Sequence, residues 1–185
     1  MIYELPEALS VGGREYPIDA DFRNVLRIFE AFGDDALTPQ EKAYICVARL
    51  YRDRIPTKDL SEAIERAYWF CGGGDTPKTE PEGIKLLDWE HDGAMLFPAV
   101  SRAAGVTDIR SAKFLHWWTF LGLFGEVGEG LFSTVMHIRR KVLTGKKLDK
   151  TEREFFRKNK ELIILRTKEE PAEIEATEAL LRKNT

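Results

Sequence analysis

Phe114-Leu-His-Trp-Trp-Thr-Phe-Leu-Gly-Leu-Phe124 is the stretch that decides the fold. It sets two of the four tryptophans side by side, adds three phenylalanines and carries no Asp, Glu, Lys or Arg. A run like this inserts into a bilayer, lies buried inside a protein, or offers an adhesive surface to a partner. A spanning helix needs about 20 predominantly apolar residues. Here Lys113 and Glu126 close the run too early, so no membrane segment is expected. The opening Met1-Ile-Tyr-Glu-Leu-Pro6 has an early acid and a proline where an export signal has a basic region and a long apolar core. The apolar residues of the run surround the helix instead of forming one stripe, which is the pattern of a central core helix.

Working outward, helices dominate. Phe22, Val25, Leu26, Phe29 and Phe32 recur at helical spacing behind Asp19 or Asp21 as the cap. Thr38-Pro39-Gln40-Glu41 is a capping box with proline at the first helical position. Its helix turns Ala43, Cys46, Val47 and Leu50 to one side, and Pro56 ends it. A third helix follows Thr57 through Leu60, Ile64, Ala67 and Cys71, and stops at Gly72-Gly73-Gly74. A fourth is expected from Trp89 to Ala104, kinked or split by Pro98. The aromatic helix is expected to start after Asp108 or Ser111. A sixth carries Leu131, Val135, Ile138 and Val142 and ends at Gly145. Thr151-x-x-Glu154 reads as a second capping box, opening a seventh helix through Phe155, Phe156 and Leu162.

At the N-terminus, Ala8 to Val11 and Arg14 to Ile18 flank Gly12-Gly13, which predicts a hairpin with Pro17 on an edge strand. The fold class is therefore mainly α: a single-domain helical bundle with a small N-terminal β-hairpin. The hairpin covers residues 1–20 and the helical domain residues 21–166, with a loop at about 75–87. Residues 167–185 form a charged tail interrupted by Pro171.

The net charge of −3 hides an asymmetry. Arg139 to Lys160 holds ten Lys or Arg against three acids, a segment of +7, which leaves −10 for the rest. The acidic zones are Asp75 to Asp92 and Glu169 to Glu178. Such blocks solvate a surface or steer a charged partner. The acidic balance of the whole chain argues against a dedicated nucleic-acid binder.

No catalytic pattern emerges. Gly72-Gly73-Gly74 follows a helix and lacks the lysine of a phosphate loop. No two of His91, His116 and His137 stand closer than 21 residues, so the short spacing of a zinc site is missing and no metal is expected. Cys46 and Cys71 sit at apolar helical positions and read as core residues of a protein kept in a reducing compartment. Ser101, Ser111 and Ser133 have no nucleophile elbow around them. We expect no enzyme activity and no cofactor.

The ordered motifs carry a resemblance. Leu5-Pro-x-x-Leu-x-Val-Gly-Gly-Arg-Glu-Tyr-Pro-Ile-x-x-Asp-Phe-Arg23 comes first, followed by Leu50-Tyr51, Ile55-Pro56, Glu62-Ala63-Ile64, Trp69-Phe70 and Gly72. Then come Asp92, Asp108, Leu115-His116-Trp117-Trp118-x-Phe120, Phe132, Ile138-Arg139 and the lysine-rich helix. In this order and spacing the chain resembles the bacteriophage "gene product fifteen" family, encoded among tail genes of long-tailed phages of Gram-positive bacteria. Pro98 departs from an otherwise unbroken helix in that pattern.

The resemblance implies a tail-assembly chaperone working in the host bacterial cytoplasm. Its partners would be the helical tape-measure protein and the first chaperone of the tail pair. A structural virion component, such as a tail-completion or head–tail connector protein, is the alternative, and a nucleic-acid-binding regulator is a third. His116, Trp117, Trp118 and Phe120 would be the signature and part of the core. Lys146, Lys147, Lys150, Arg153 and Arg157 would face a partner, with any client groove near the aromatic helix and the basic helix after it.

Overall fold

The computed structural model describes residues 4–75 and 85–165. Most of the expected loop at 75–87 and all of the tail at 167–185 lie outside the described residues. Strands β1 (Ala8–Val11) and β2 (Arg14–Pro17) pair antiparallel, with Leu9 opposite Tyr16. Gly12 and Gly13 turn the chain with φ of 57° and 77°, the left-handed values that a two-residue hairpin turn demands. A Cβ on Gly12 would stand 2.9 Å from Asp59 Cγ, and its amide donates to Glu62 Oε2 at 2.9 Å, so the hairpin tip is pinned to the third helix. Leu9, Val11 and Tyr16 turn one hairpin face into the core.

Helices α1 (Phe22–Phe32), α2 (Pro39–Leu50) and α3 (Leu60–Cys71) follow, with a single 3-10 turn at Thr57–Asp59. Asp21 caps α1 by accepting from Arg23 N at 3.0 Å. Thr38 and Glu41 close the expected capping box on α2, with Thr38 N donating to Glu41 Oε2 at 2.8 Å. Asp19 N donates to Leu50 O and Arg52 N to Pro17 O, which ties the exit of the hairpin to the end of α2.

Helix α4 (Trp89–Ala103) is continuous through Pro98. The expected split does not occur because Pro98 and Ala94 both face solvent. Water can then take the Ala94 carbonyl that Pro98 cannot serve. Ser101 Oγ donates to Phe97 O at 2.6 Å and accepts from Ile109 N at 2.8 Å, holding the 3-10 turn Ile109–Ser111 against α4.

The aromatic helix α5 (Trp117–Gly125) starts later than the sequence suggests. Its cap is His116: Nδ1 accepts from Trp118 N at 3.1 Å, while Nε2 lies 3.0 Å from Pro6 O. A carbonyl only accepts, so Nε2 carries the hydrogen and Nδ1 is the acceptor. Phe114 and Leu115 consequently precede the helix, and Leu115 O accepts from Phe22 N. The helix is buried on one side, not all round. Trp117 and Phe120 are fully buried, whereas Thr119 and Gly122 face solvent. Phe120 stacks on Phe22 at 4.9 Å and on Trp117 at 5.5 Å, with Phe29 and Trp89 against the same indole. This aromatic cluster joins α1, α4 and α5 at the centre.

Helices α6 (Leu131–Leu143), α7 (Lys150–Lys158) and α8 (Lys160–Ile163) complete the described chain. The expected seventh helix is interrupted at Asn159, and its cap is Asp149, not Thr151. Asp149 Oδ1 accepts from Glu152 N, and Glu152 Oε2 accepts from Asp149 N, both at 2.8 Å. The fold is mainly α, with a small antiparallel hairpin at its start.

Candidate functional site

The basic segment does not form one uniform face. Arg139 points inward and is 1% exposed. It grips Asp92, which has no exposed surface, through Nη1 to Oδ2 at 2.7 Å and Nη2 to Oδ1 at 2.8 Å. Its remaining hydrogen bonds go to the carbonyls of Leu86, Leu162 and Ile163. Such complete satisfaction is what a buried guanidinium requires. Arg139 is thus a knot that fastens α4, α6, α8 and the segment before α4.

Lys141 is also committed. Its Nζ reaches both oxygens of Glu152, at 2.6 and 2.8 Å, and His137 Nε2 lies 3.0 Å from the same carboxylate. The Lys141 ammonium holds the Glu152 carboxyl below its usual range. Lys158 pairs with Glu154 one turn away.

Lys146, Lys147, Lys150, Arg153 and Arg157 are all exposed, and none has an ion-pair partner among the described residues. Arg140, which the sequence reading did not single out, is exposed as well. Lys150, Arg153 and Arg157 stand at i, i+3 and i+7 on α7, so they share one face. Phe156 on the same helix is buried and docks it to the body. Lys146 and Lys147 lie in the connection ahead of it.

An apolar groove opens elsewhere, between α1, α2 and α3. Its volume is about 440 Å³, and Phe29, Phe32, Pro39, Tyr68 and Cys71 line it, with Lys42 as the charged lining residue. Pro39 is shared with a second cleft of about 320 Å³ on the other side of the α2 start, where Tyr44, Leu60 and Ile64 contribute. Tyr44 is 68% exposed. The floor is built from aromatic pairs, Phe29 with Phe32 at 5.7 Å and Phe32 with Tyr68 at 5.5 Å. A client groove had been expected near the aromatic helix and the basic helix after it. Two lining residues, Phe29 and Cys71, do touch Trp117 of the aromatic helix, but no residue of α6 or α7 is among those that line the groove.

Cys46 and Cys71 are buried side by side between α2 and α3. A hydrogen bond to Cys71, together with burial, pushes the Cys46 thiol far up, which keeps it protonated and poorly nucleophilic. Among the described residues no group of three or more His, Cys, Asp or Glu could hold a metal ion. No described helix is long and apolar enough to cross a membrane.

The signature residues lie together at the centre. His116, Trp117 and Phe120 are buried and Trp118 is half-buried. Trp117 Nε1 donates to Cys71 O at 2.8 Å and Trp118 Nε1 to Phe70 O at 2.9 Å, so adjacent indoles lock α5 to the end of α3. Gly74, with φ of 93°, lies so close under the Trp118 ring that a Cβ would stand 3.0 Å from it.

The family model for the bacteriophage Gp15 protein matches residues 1–165. The chain belongs to the bacteriophage Gp15 family. The match ends where the described residues end, so the hairpin, the aromatic centre, the groove and the basic helix all fall within the family region. No curated protein and no solved structure shows a significant match.

Proposed function

We propose that this Gp15 family member is a non-enzymatic tail-assembly chaperone. Its client is a helical protein such as the phage tape-measure protein, held in the host cytoplasm until tail tube subunits polymerise around it. The observation that carries this reading is the open apolar groove along α2, whose two clefts meet at Pro39. A client helix binds in such a groove through apolar residues at i, i+3, i+4 and i+7, which span about 10 Å of helix. Lys42 among the lining residues would favour an acid beside the client's apolar stripe. The exposed cations of α7 supply a second, polar contact surface for the client or for the first chaperone of the pair.

Co-expression with the tape-measure protein of the same phage tests the proposal. The client should become soluble and co-purify with the chain. Tyr44→Asp places a charge in the exposed cleft without touching the core, and it should abolish both effects. A client equally insoluble with and without the chain ends the chaperone reading. Mass spectrometry of purified particles separates a chaperone, which is absent from them, from a structural virion component.

A further inference from the structure

We propose that α7 is a latched arm, which detaches and melts as a unit while the rest of the fold stays intact. Arg139 makes this possible. From α6 it binds the carbonyls of Leu162 and Ile163 on α8, so the elements before and after α7 are fastened directly to each other. Ile163 is buried and anchors α8 to the core as well. Helix α7 is therefore an excursion between two points that hold without it.

Among the described residues, α7 is weakly held. Helix α6 buries Phe132, Val135, Ile138, Arg139 and Val142, whereas α7 buries Phe156 alone. Phe155 and, in the connection ahead, Leu148 are half-buried against the core. The other attachment is polar and rests on one carboxylate. Glu152 meets Lys141 and the exposed His137, both on α6.

The helix brings little stability of its own. It has nine residues, and a helix shorter than about 12–15 residues is marginal in water. Arg153 and Arg157 stand at i, i+4, where like charges repel. Lys158 and Glu154 pair at the surface, where an ion pair contributes little. Once Phe156 and Glu152 let go, the segment melts instead of swinging out whole. Few buried apolar contacts place a segment at the low-stability end of a fold. Both ends suit this excursion: Gly145, with φ of 66°, follows α6, and Asn159 separates α7 from α8.

Opening scatters Lys150, Arg153 and Arg157, which form one face only on the docked helix. A partner that reads these cations together selects the latched state and holds it. The arm follows from the fold alone and stands whether or not the chaperone reading holds.

Hydrogen exchange of the full chain, read by mass spectrometry, tests it. Peptides of 150–158 should be about tenfold less protected than those of 131–143. Lys141→Met removes the latch from the α6 side and leaves the sequence and capping box of α7 untouched. It should lower protection of 150–158 several-fold and leave 131–143 as it was. Phe156→Ser should leave 150–158 almost unprotected, with the hairpin and α1 to α6 unchanged. The proposal is overturned if 150–158 is as protected as 131–143 in the native chain, or if Lys141→Met changes nothing in 150–158. It is equally overturned if Phe156→Ser lowers protection across the whole fold.

Discussion

Arg139 and Asp92, 47 residues apart in the chain, form a two-pronged ion pair with almost no exposed surface. Taking two charges out of water is expensive, and a hydrophobic pair of similar volume can be as stable. Removing only one partner is a different matter. Asp92→Ala should cost about 3–5 kcal/mol, because it leaves a guanidinium buried and uncompensated. Urea unfolding should show a lowered midpoint at an unchanged slope. Replacing both residues together by Leu and Met should cost clearly less than the two single changes summed.

The neighbouring tryptophans should respond unequally. Trp117 is fully enclosed by aromatic rings, so Trp117→Ala should destabilise by about 3–5 kcal/mol. It also strands the Cys71 carbonyl. Trp118 is half-buried, and its alanine variant should lose less. Thermal melts of the two variants side by side check the order.

Asp149 is the cap of α7, so Asp149→Ala should cost about 1 kcal/mol. Thr151→Ala should be nearly neutral, since Thr151 is exposed and does not cap. A reversal of that order in chemical denaturation would contradict the assigned helix start.

Acid should loosen the same corner. The hydrogen bond from Lys141 lowers the Glu152 carboxyl below its usual value of 4.5. A depressed folded value means that the contribution is fully present above the unfolded value and is lost as pH falls through the folded one. The stability difference between the native chain and Glu152→Gln should therefore be large at pH 7 and shrink at pH 3. Denaturation midpoints at the two pH values give the comparison.

Charge reversal on the connection ahead of α7 should leave folding intact. Lys146 and Lys147 are exposed, so Lys146→Glu with Lys147→Glu should keep the melting temperature within a degree or two. Binding to a client or partner should weaken, and more strongly at low salt. An unchanged complex on co-purification would remove this face from the partner surface.

Local chemistry was legible in the sequence, and long-range pairing was not. The Thr38 capping box and the Gly12-Gly13 turn depend on neighbours within three residues, so pattern alone locates them. Thr151-x-x-Glu154 was the box the pattern suggested, but Asp149 caps the helix, and its partner Glu152 is also bonded to Lys141 and His137 on another helix, which a local pattern does not contain. Arg139 looked like one more cation of a solvated stripe because its acid lies on α4. His116 was hidden as a cap by the aromatic residues after it, since its ring also depends on Pro6, 110 residues earlier. The groove arises where α1, α2 and α3 converge, and no single segment announces it.

The hydrogen bond between His116 and Pro6 spans 110 residues and bears on how the protein is made. Ribosomes add about 5–20 residues per second, so Pro6 waits roughly 5–20 s before its partner exists. Tyr51, which bridges to Ile18, arrives earlier but still well after the hairpin. Until Tyr51 and then Glu62 follow, the two short strands lack the α2 end and the α3 helix that hold them, and a two-stranded hairpin is at best marginal by itself. Nascent chains should consequently acquire protease resistance at the N-terminus in two steps, a first when α3 emerges and a second when the segment carrying His116 does.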